Sequence, residues 1–137
     1  MCDATDSMRA GMASLSILFV DDDPIVLHRL AAAAEGGGHT VRIASNAAAA
    51  LRIAEAVRPD VAVVDLRIGN DWGIDVIESL KFSGPATKIF VLSGILSAAA
   101  ATQAMLAGAT NVLSKPIRPS VLVAIIEGGH LRDPLVS

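Results

Sequence analysis

The sequence has few aromatic residues and only one cysteine. Phe, Trp and Tyr together make up 3% of the 137 residues, so a core must be built mainly from aliphatic side chains. The single cysteine, Cys2, excludes an intrachain disulfide, as is common in proteins of a reducing compartment. No run of Lys or Arg is present and the net charge is −3, so the sequence has no basic patch of the kind that binds nucleic acid.

Charged residues are also missing from a long stretch, 89–114, and the mean hydropathy is +0.55. A membrane-spanning helix needs about 20 predominantly apolar residues. Polar residues and glycines interrupt this stretch and much of the rest is Ala, so we do not expect it to span a bilayer. Residues 1–14 are polar and partly acidic, which predicts a flexible N-terminal tail rather than a signal peptide.

Short apolar runs rich in Val, Ile and Leu predict five strands. They lie at 15–20, 39–44, 61–64, 88–92 and 111–114, the second and the last being the weaker ones. Runs that are apolar throughout are typical of parallel strands covered on both faces.

Segments with helical spacing separate these runs. They lie at 24–35, 46–57, 73–82, 97–107 and 119–127. The first has Asp23 as its expected N-cap and Pro24 at its first position, and Ser45 is expected to cap the second. Strands alternating with helices predict an α/β fold, a doubly wound five-stranded parallel sheet with five helices on its two faces. We expect one domain over 15–130, with 131–137 as a C-terminal tail or the start of a linker.

Polar residues follow the predicted strands at one edge of this sheet. In open parallel sheets the ligand site lies beyond the carboxyl ends of the strands, so these side chains should converge. They are Asp21, Asp22 and Asp23 after the first strand, Asp65 after the third, Ser93 after the fourth and Lys115 after the fifth. Taken singly, such residues are ordinary helix caps and turn formers.

Taken together, these residues predict a phosphoryl-transfer site. Carboxylates packed at one edge repel and raise each other's pKa, and Mg²⁺ with Lys115 would neutralise them. Positioning and charge neutralisation supply most of the catalysis in phosphoryl transfer. A carboxylate can act there as the nucleophile and form an acyl phosphate.

The chain resembles the receiver domains of two-component response regulators over nearly all of 15–130. The matching motifs are ILFVDDDP (17–24), VAVVDLRIGNDWG (61–73), KIFVLSG (88–94) and GATNVLSKP (108–116). The resemblance implies a flavodoxin-like fold, with Asp65 as the phosphoacceptor assisted by Ser93 and Lys115. It also implies a Mg²⁺ site formed by Asp21, Asp22, Asp65 and the backbone carbonyl of Arg67. A cis Lys115–Pro116 bond is expected as well.

The same resemblance implies a cytoplasmic signalling switch. A histidine kinase or phosphotransfer protein would phosphorylate it within a phosphorelay. Phosphorylation would alter the surface of the fourth helix (α4, 97–107), the fifth strand (β5, 111–114) and the fifth helix (α5, 119–127), which would bind an effector protein. The chain would catalyse its own phosphotransfer and slow dephosphorylation without being an enzyme in the usual sense, and it would bind neither nucleic acid nor membrane directly. Homodimerisation stays open.

Three features depart from the family pattern. Ile68 and Gly69 stand where the family usually has Met-Pro, although Gly73 keeps its usual distance from Asp65. Trp72 is expected to be a surface loop residue. Val112 stands where the family commonly has Tyr or Phe, so we expect a weaker conformational response to phosphorylation.

Two other functions remain open from the sequence. A Mg²⁺-dependent aspartyl phosphohydrolase usually has a second Asp two residues after the nucleophile, and Arg67 stands there instead. A receiver-like interaction module that no longer switches is favoured by Val112 but not by the complete acidic cluster. His28, His39 and His130 are too dispersed to predict a metal or phosphorelay histidine site. The sequence identifies neither the kinase nor the output, which could include a transcription factor if the chain is a fragment.

Overall fold

Five parallel strands form one sheet in this computed structural model, which describes residues 14–94 and 97–131. The strands are β1 (Ser16–Val20), β2 (Thr40–Ala44), β3 (Val61–Val64), β4 (Lys88–Ser93) and β5 (Asn111–Ser114). Their order in the sheet is β2-β1-β3-β4-β5, and every neighbouring pair is parallel. The predicted fold class is therefore confirmed, with strand limits within one residue of those expected. The predicted N-terminal and C-terminal tails lie almost entirely outside the described residues.

Four helices connect the strands and a fifth follows β5. They are α1 (Pro24–Gly36), α2 (Ala47–Val57), α3 (Gly73–Ser83), α4 (Ala98–Ala107) and α5 (Pro119–Leu131). Asp23 caps α1 as predicted, since its carboxylate accepts from the Ile25 N–H at 2.9 Å. The expectation for α2 was wrong: Asn46, directly before the helix, accepts from Ala49 N–H at 2.8 Å, and Ser45 lies one residue too early.

The helix α5 continues beyond its predicted end at residue 127 through two glycines. A glycine costs about 1 kcal/mol in a helix interior but does not forbid the conformation. Within this helix Val121 is 43% exposed, whereas Val123 is buried. Leu122 and Ile126 form the centre of the inward face, and Val123 lies on its flank.

The core has two layers, one on each side of the sheet. One layer packs alternate sheet residues, such as Val64 and Val91, against α2, α3 and α4. The other packs the remaining ones, such as Phe19 and Phe90, against α1 and α5. Because the central strands are buried on both faces, their sequences are apolar throughout.

The uncharged stretch 89–114 is divided among β4, α4 and β5. Across residues 14–94 and 97–131, the structure contains no helix with both the length and the apolar character needed to cross a bilayer.

Candidate acidic site at the carboxyl edge of the sheet

Three of the predicted site residues directly extend the sheet beyond its strands. The Asp21 N–H donates to Ala44 O at 3.1 Å, and the Asp65 N–H donates to Val20 O at 3.0 Å. The Lys115 N–H donates to Ser93 O at 2.8 Å. The backbone of each residue is thus fixed by a neighbouring strand, and their side chains leave the same edge of the sheet.

The ammonium of Lys115 joins two of the carboxylates. Its Nζ donates to Asp21 Oδ2 at 2.6 Å and to Asp65 Oδ2 at 2.9 Å. Burial raises the pKa of Asp21, and the hydrogen bond from Lys115 only partly offsets this effect. Burial would lower the pKa of Lys115, but its hydrogen bonds to both carboxylates outweigh that effect and raise it. Lys115 therefore stays charged and holds the two carboxylates together.

Asp22 completes a group of three carboxylates. One oxygen each from Asp21, Asp22 and Asp65 lies within 4.8 Å of the others. Asp22 is exposed, and its Oδ2 accepts from the Gly69 N–H at 3.0 Å. Asp23 caps α1 and does not belong to this group. Three carboxylates facing one ammonium leave a negative site, and carboxylate oxygens are the ligands that hard divalent cations prefer.

The segment after Asp65 forms a short hairpin rather than a plain loop. Arg67–Ile68 pairs antiparallel with Asp71–Trp72, with Gly69 at φ 61° in the turn. Ile68 is buried, and the Arg67 N–H donates to Asp65 Oδ1 at 3.2 Å. This hairpin therefore holds one of the two Asp65 carboxylate oxygens in place.

Two residues that support this hairpin were not anticipated as such. Asp71 Oδ2 accepts from the Ala47 N–H at 3.2 Å, which ties the hairpin to the first turn of α2. The Gly73 N–H donates to Leu66 O at 2.7 Å, and a Cβ on Gly73 would lie 2.3 Å from Asp65 O. The sequence signals only the spacing of Gly73, because both contacts depend on the conformation of the hairpin.

A cleft of about 490 Å³ opens above Asp65. The predicted residues Ser93 and Lys115 line it together with Asp65, and Ser93 is buried. The other lining residues are Leu66, Arg67, Trp72, Gly94, Ser97 and Ala100. Trp72, expected in a surface loop, is 40% exposed and belongs to the hairpin. The cleft gives a small polar group access to the Asp65 carboxylate.

The remaining sequence expectations have mixed outcomes. The Lys115–Pro116 bond is cis, as predicted. Val112 is half-buried against the core layer of α2, α3 and α4.

His28 is exposed on α1, whereas the buried His39 accepts from the Leu15 N–H at 3.0 Å and contacts Glu127 at 2.7 Å. The side chain of His130 lies outside the described residues. Neither described histidine belongs to the acidic group.

Two curated relatives share much of this sequence. The photosynthetic apparatus regulatory protein RegA of Rhodovulum sulfidophilum is 42% identical over 120 residues, which cover 87% of this chain and 66% of RegA. The acid tolerance regulatory protein ActR of Sinorhizobium medicae is 40% identical over 113 residues, which cover 82% of this chain and 58% of ActR. The chain thus spans less than two thirds of either relative.

Solved structures share the fold. A response regulator from Burkholderia pseudomallei, with a phosphorylated aspartic acid, a calcium ion and citrate, has a TM-score of 0.77 and 38% identity, covering 80% of this chain and 64% of that one. A CheY-like receiver domain from Methanospirillum hungatei has a TM-score of 0.80 and 27% identity, covering 84% and 92%. Residues 17–127 match the response regulator receiver domain. With its acidic site at the expected edge of the expected sheet, the chain belongs to the response regulator receiver domain family.

Proposed function

We propose that this receiver domain switches by accepting a phosphoryl group on Asp65. The observation that carries the proposal is the setting of the Asp65 carboxylate. Lys115 contacts one of its oxygens, the Arg67 N–H contacts the other, and a cleft opens above it. The Burkholderia pseudomallei relative, which contains a phosphorylated aspartic acid, supports the same chemistry here.

The acidic group fits a divalent cation, and we propose Mg²⁺. The donor set supports this, since three carboxylates offer oxygens within 4.8 Å of one another. Asp21, Asp22 and Asp65 would hold the ion, with the backbone carbonyl of Arg67 as a further ligand. When bound, the ion would neutralise charge on the carboxylates and on the phosphoryl oxygens. The calcium ion in the Burkholderia pseudomallei structure supports a divalent site of this kind.

The chain's own residues would then perform the transfer. An Asp65 oxygen forms a bond to phosphorus as the bond between phosphorus and the donor's leaving group breaks. The leaving group keeps the electron pair of that bond. Lys115, already paired with Asp65, offsets negative charge as the acyl phosphate forms. The Ser93 hydroxyl, on the wall of the same cleft, donates a hydrogen bond to a phosphoryl oxygen.

The donor would be a histidine kinase or a phosphotransfer protein in the cytoplasm, and the output would pass through α4, β5 and α5. Exposed apolar side chains on this face support an effector surface, since Met105, Leu106 and Val121 are 49%, 83% and 43% exposed. The same face could serve a homodimer. Residues 15–130 would form the switch, with 1–14 as an N-terminal tail and 131–137 as a C-terminal tail or the start of a linker.

Acetyl phosphate is the simplest probe of this function. Intact-mass spectrometry should show one added phosphoryl group in the presence of Mg²⁺ and none in EDTA. Asp65→Ala should abolish the addition, whereas Asp75→Ala, at an exposed position in the first turn of α3, should not. Full labelling of Asp65→Ala would exclude Asp65 as the acceptor.

A further inference from the structure

We propose that Trp72 is a specificity-determining residue that contacts the imidazole ring of a phosphohistidine donor. The inference rests on the proposed function, in which Asp65 is the acceptor. It adds a reason for the site to prefer an N-phosphoimidazole to an acyl phosphate of similar reactivity. That reason is an aromatic wall beside the acceptor carboxylate.

The position of Trp72 suits this role. Trp72 lines the same cleft as Asp65 and Lys115, and it is 40% exposed. Trp72 is therefore partly covered by the protein and partly available to a ligand. Among the described residues, α4 and its N-cap contribute only the small Ser97 and Ala100 to the lining, and the cleft volume of about 490 Å³ is large enough for a second flat ring.

The hairpin that carries Trp72 is held from several directions. Gly69 N–H donates to Asp22, Asp71 accepts from the first turn of α2, and Ile68 is buried in the core. Because the hairpin is already ordered in the folded protein, its backbone loses little conformational entropy when a ligand packs against Trp72. An aromatic side chain on such a platform is well suited to recognise a planar group.

The chemistry of the donor matches a tryptophan wall. In a protonated N-phosphoimidazole, the ring carries a positive charge and the phosphoryl group two negative ones. The new bond from an Asp65 oxygen to phosphorus forms as the P–N bond breaks, and the P–N electron pair returns to the ring nitrogen. The ring leaves as neutral imidazole, because its other nitrogen already carries a proton, and the acyl phosphate keeps the two negative charges.

Before transfer, the cationic ring is attracted to the face of an indole, which is the strongest cation–π partner among the side chains. The acetate leaving group of acetyl phosphate has neither a ring nor a positive charge and gains nothing from it. Arg67, the cross-strand partner of Trp72, also lines the cleft. Its positive charge attracts the phosphoryl group of both donors and repels the cationic ring of one of them. Because Arg67 is unchanged in every Trp72 variant, its effect cancels when the ratio of a variant is compared with that of the wild type.

The test compares the rates of Asp65 phosphorylation by N-phosphoimidazole and by acetyl phosphate at saturating Mg²⁺. Trp72→Leu and Trp72→Met should lower the ratio of the two rates by about three- to tenfold, the range expected for loss of one aromatic contact. Trp72→Phe keeps a ring and should retain the ratio within about twofold. Phe82→Leu, a 90% exposed aromatic residue of α3 outside the cleft, is the matched control and should behave as wild type.

An unchanged ratio in both Trp72→Leu and Trp72→Met would overturn the role of Trp72. An equal fall in Trp72→Phe would also overturn it, since the ring would then not be the cause. The proposed function is judged separately within the same experiment. Failure of both donors to label the wild type, or labelling that persists in Asp65→Ala, would contradict Asp65 as the acceptor.

Discussion

Replacing Gly73 with alanine should damage both the fold and the site. Gly73 begins α3 and packs against the backbone directly after β3. An added Cβ would lie 2.3 Å from Asp65 O, 2.7 Å from Leu66 Cα and 3.1 Å from Asp65 C. All three are backbone atoms, so no side chain can rotate away, and either α3 or the acceptor segment must move.

The magnitude follows from three contributions. Overpacking of this kind costs about 1–3 kcal/mol. Movement of α3 also weakens the 2.7 Å hydrogen bond from Gly73 N–H to Leu66 O, at about 1 kcal/mol. Alanine recovers about 0.4–1 kcal/mol, because it has less conformational freedom than glycine in the unfolded chain. The expected net loss in the free energy of unfolding is therefore about 1–3 kcal/mol, or roughly 4–12 °C in Tm for a domain of this size.

Thermal denaturation followed by circular dichroism would measure this loss, with Gly36→Ala as the matched control. Gly36 is the last residue of α1, and a Cβ there would meet nothing within 4 Å. That variant should gain about 0.4–1 kcal/mol, because alanine has less conformational freedom in the unfolded chain. Labelling by acetyl phosphate should slow in Gly73→Ala alone. If Gly73→Ala instead matched Gly36→Ala in Tm, the argument from close backbone contact would be wrong.

Three further predictions concern the site and its output. Lys115→Met should lower the free energy of unfolding by about 1–3 kcal/mol at neutral pH without Mg²⁺, because two carboxylates lose their shared partner. Since the pKa of Lys115 is raised on folding, its stabilising effect should be present below pH 10.5 and disappear in urea titrations above it, and Lys115→Met should lack this loss. Mg²⁺ should change the emission of Trp72, the only tryptophan, and Asp22→Ala should weaken the response; an unaltered titration in Asp22→Ala would remove Asp22 from the metal site. Val112→Tyr should enlarge the NMR shift changes that beryllofluoride causes in α4 and β5, and large changes already in the wild type would show that switching is complete without an aromatic residue.

The fold could be predicted because the strands are buried on both faces. The run VAVV at 61–64 contains no polar residue, as expected for a strand buried on both faces, and the structure has a strand over those four residues. Local capping was less predictable. Ser and Asn are both good N-cap residues, and the sequence does not determine whether α2 begins directly after Ser45 or after Asn46.

The sequence predicted which residues form the acidic site, but not the hydrogen bonds and close contacts that hold them in place. The rule that parallel strands present ligand residues at their carboxyl ends was enough to bring Asp21, Asp65 and Lys115 together. The hydrogen bonds of Asp71 to α2 and of Asp22 to Gly69 depend on a hairpin whose turn residues carry no strong pattern. The close approach of Gly73 likewise requires atomic positions, because a glycine at a helix start has many ordinary explanations.

The backbone hydrogen bonds of Asp21, Asp65 and Lys115 to neighbouring strands have a consequence for amide hydrogen exchange. Each N–H is bonded to the last residue of a strand, so it should open only when that part of the sheet opens. The amides of Gly69 and Ala47 are bonded instead to carboxylate side chains and should open in smaller local fluctuations. The backbone beneath the acceptor would then exchange on the timescale of global unfolding, while the hairpin that frames the cleft exchanges sooner.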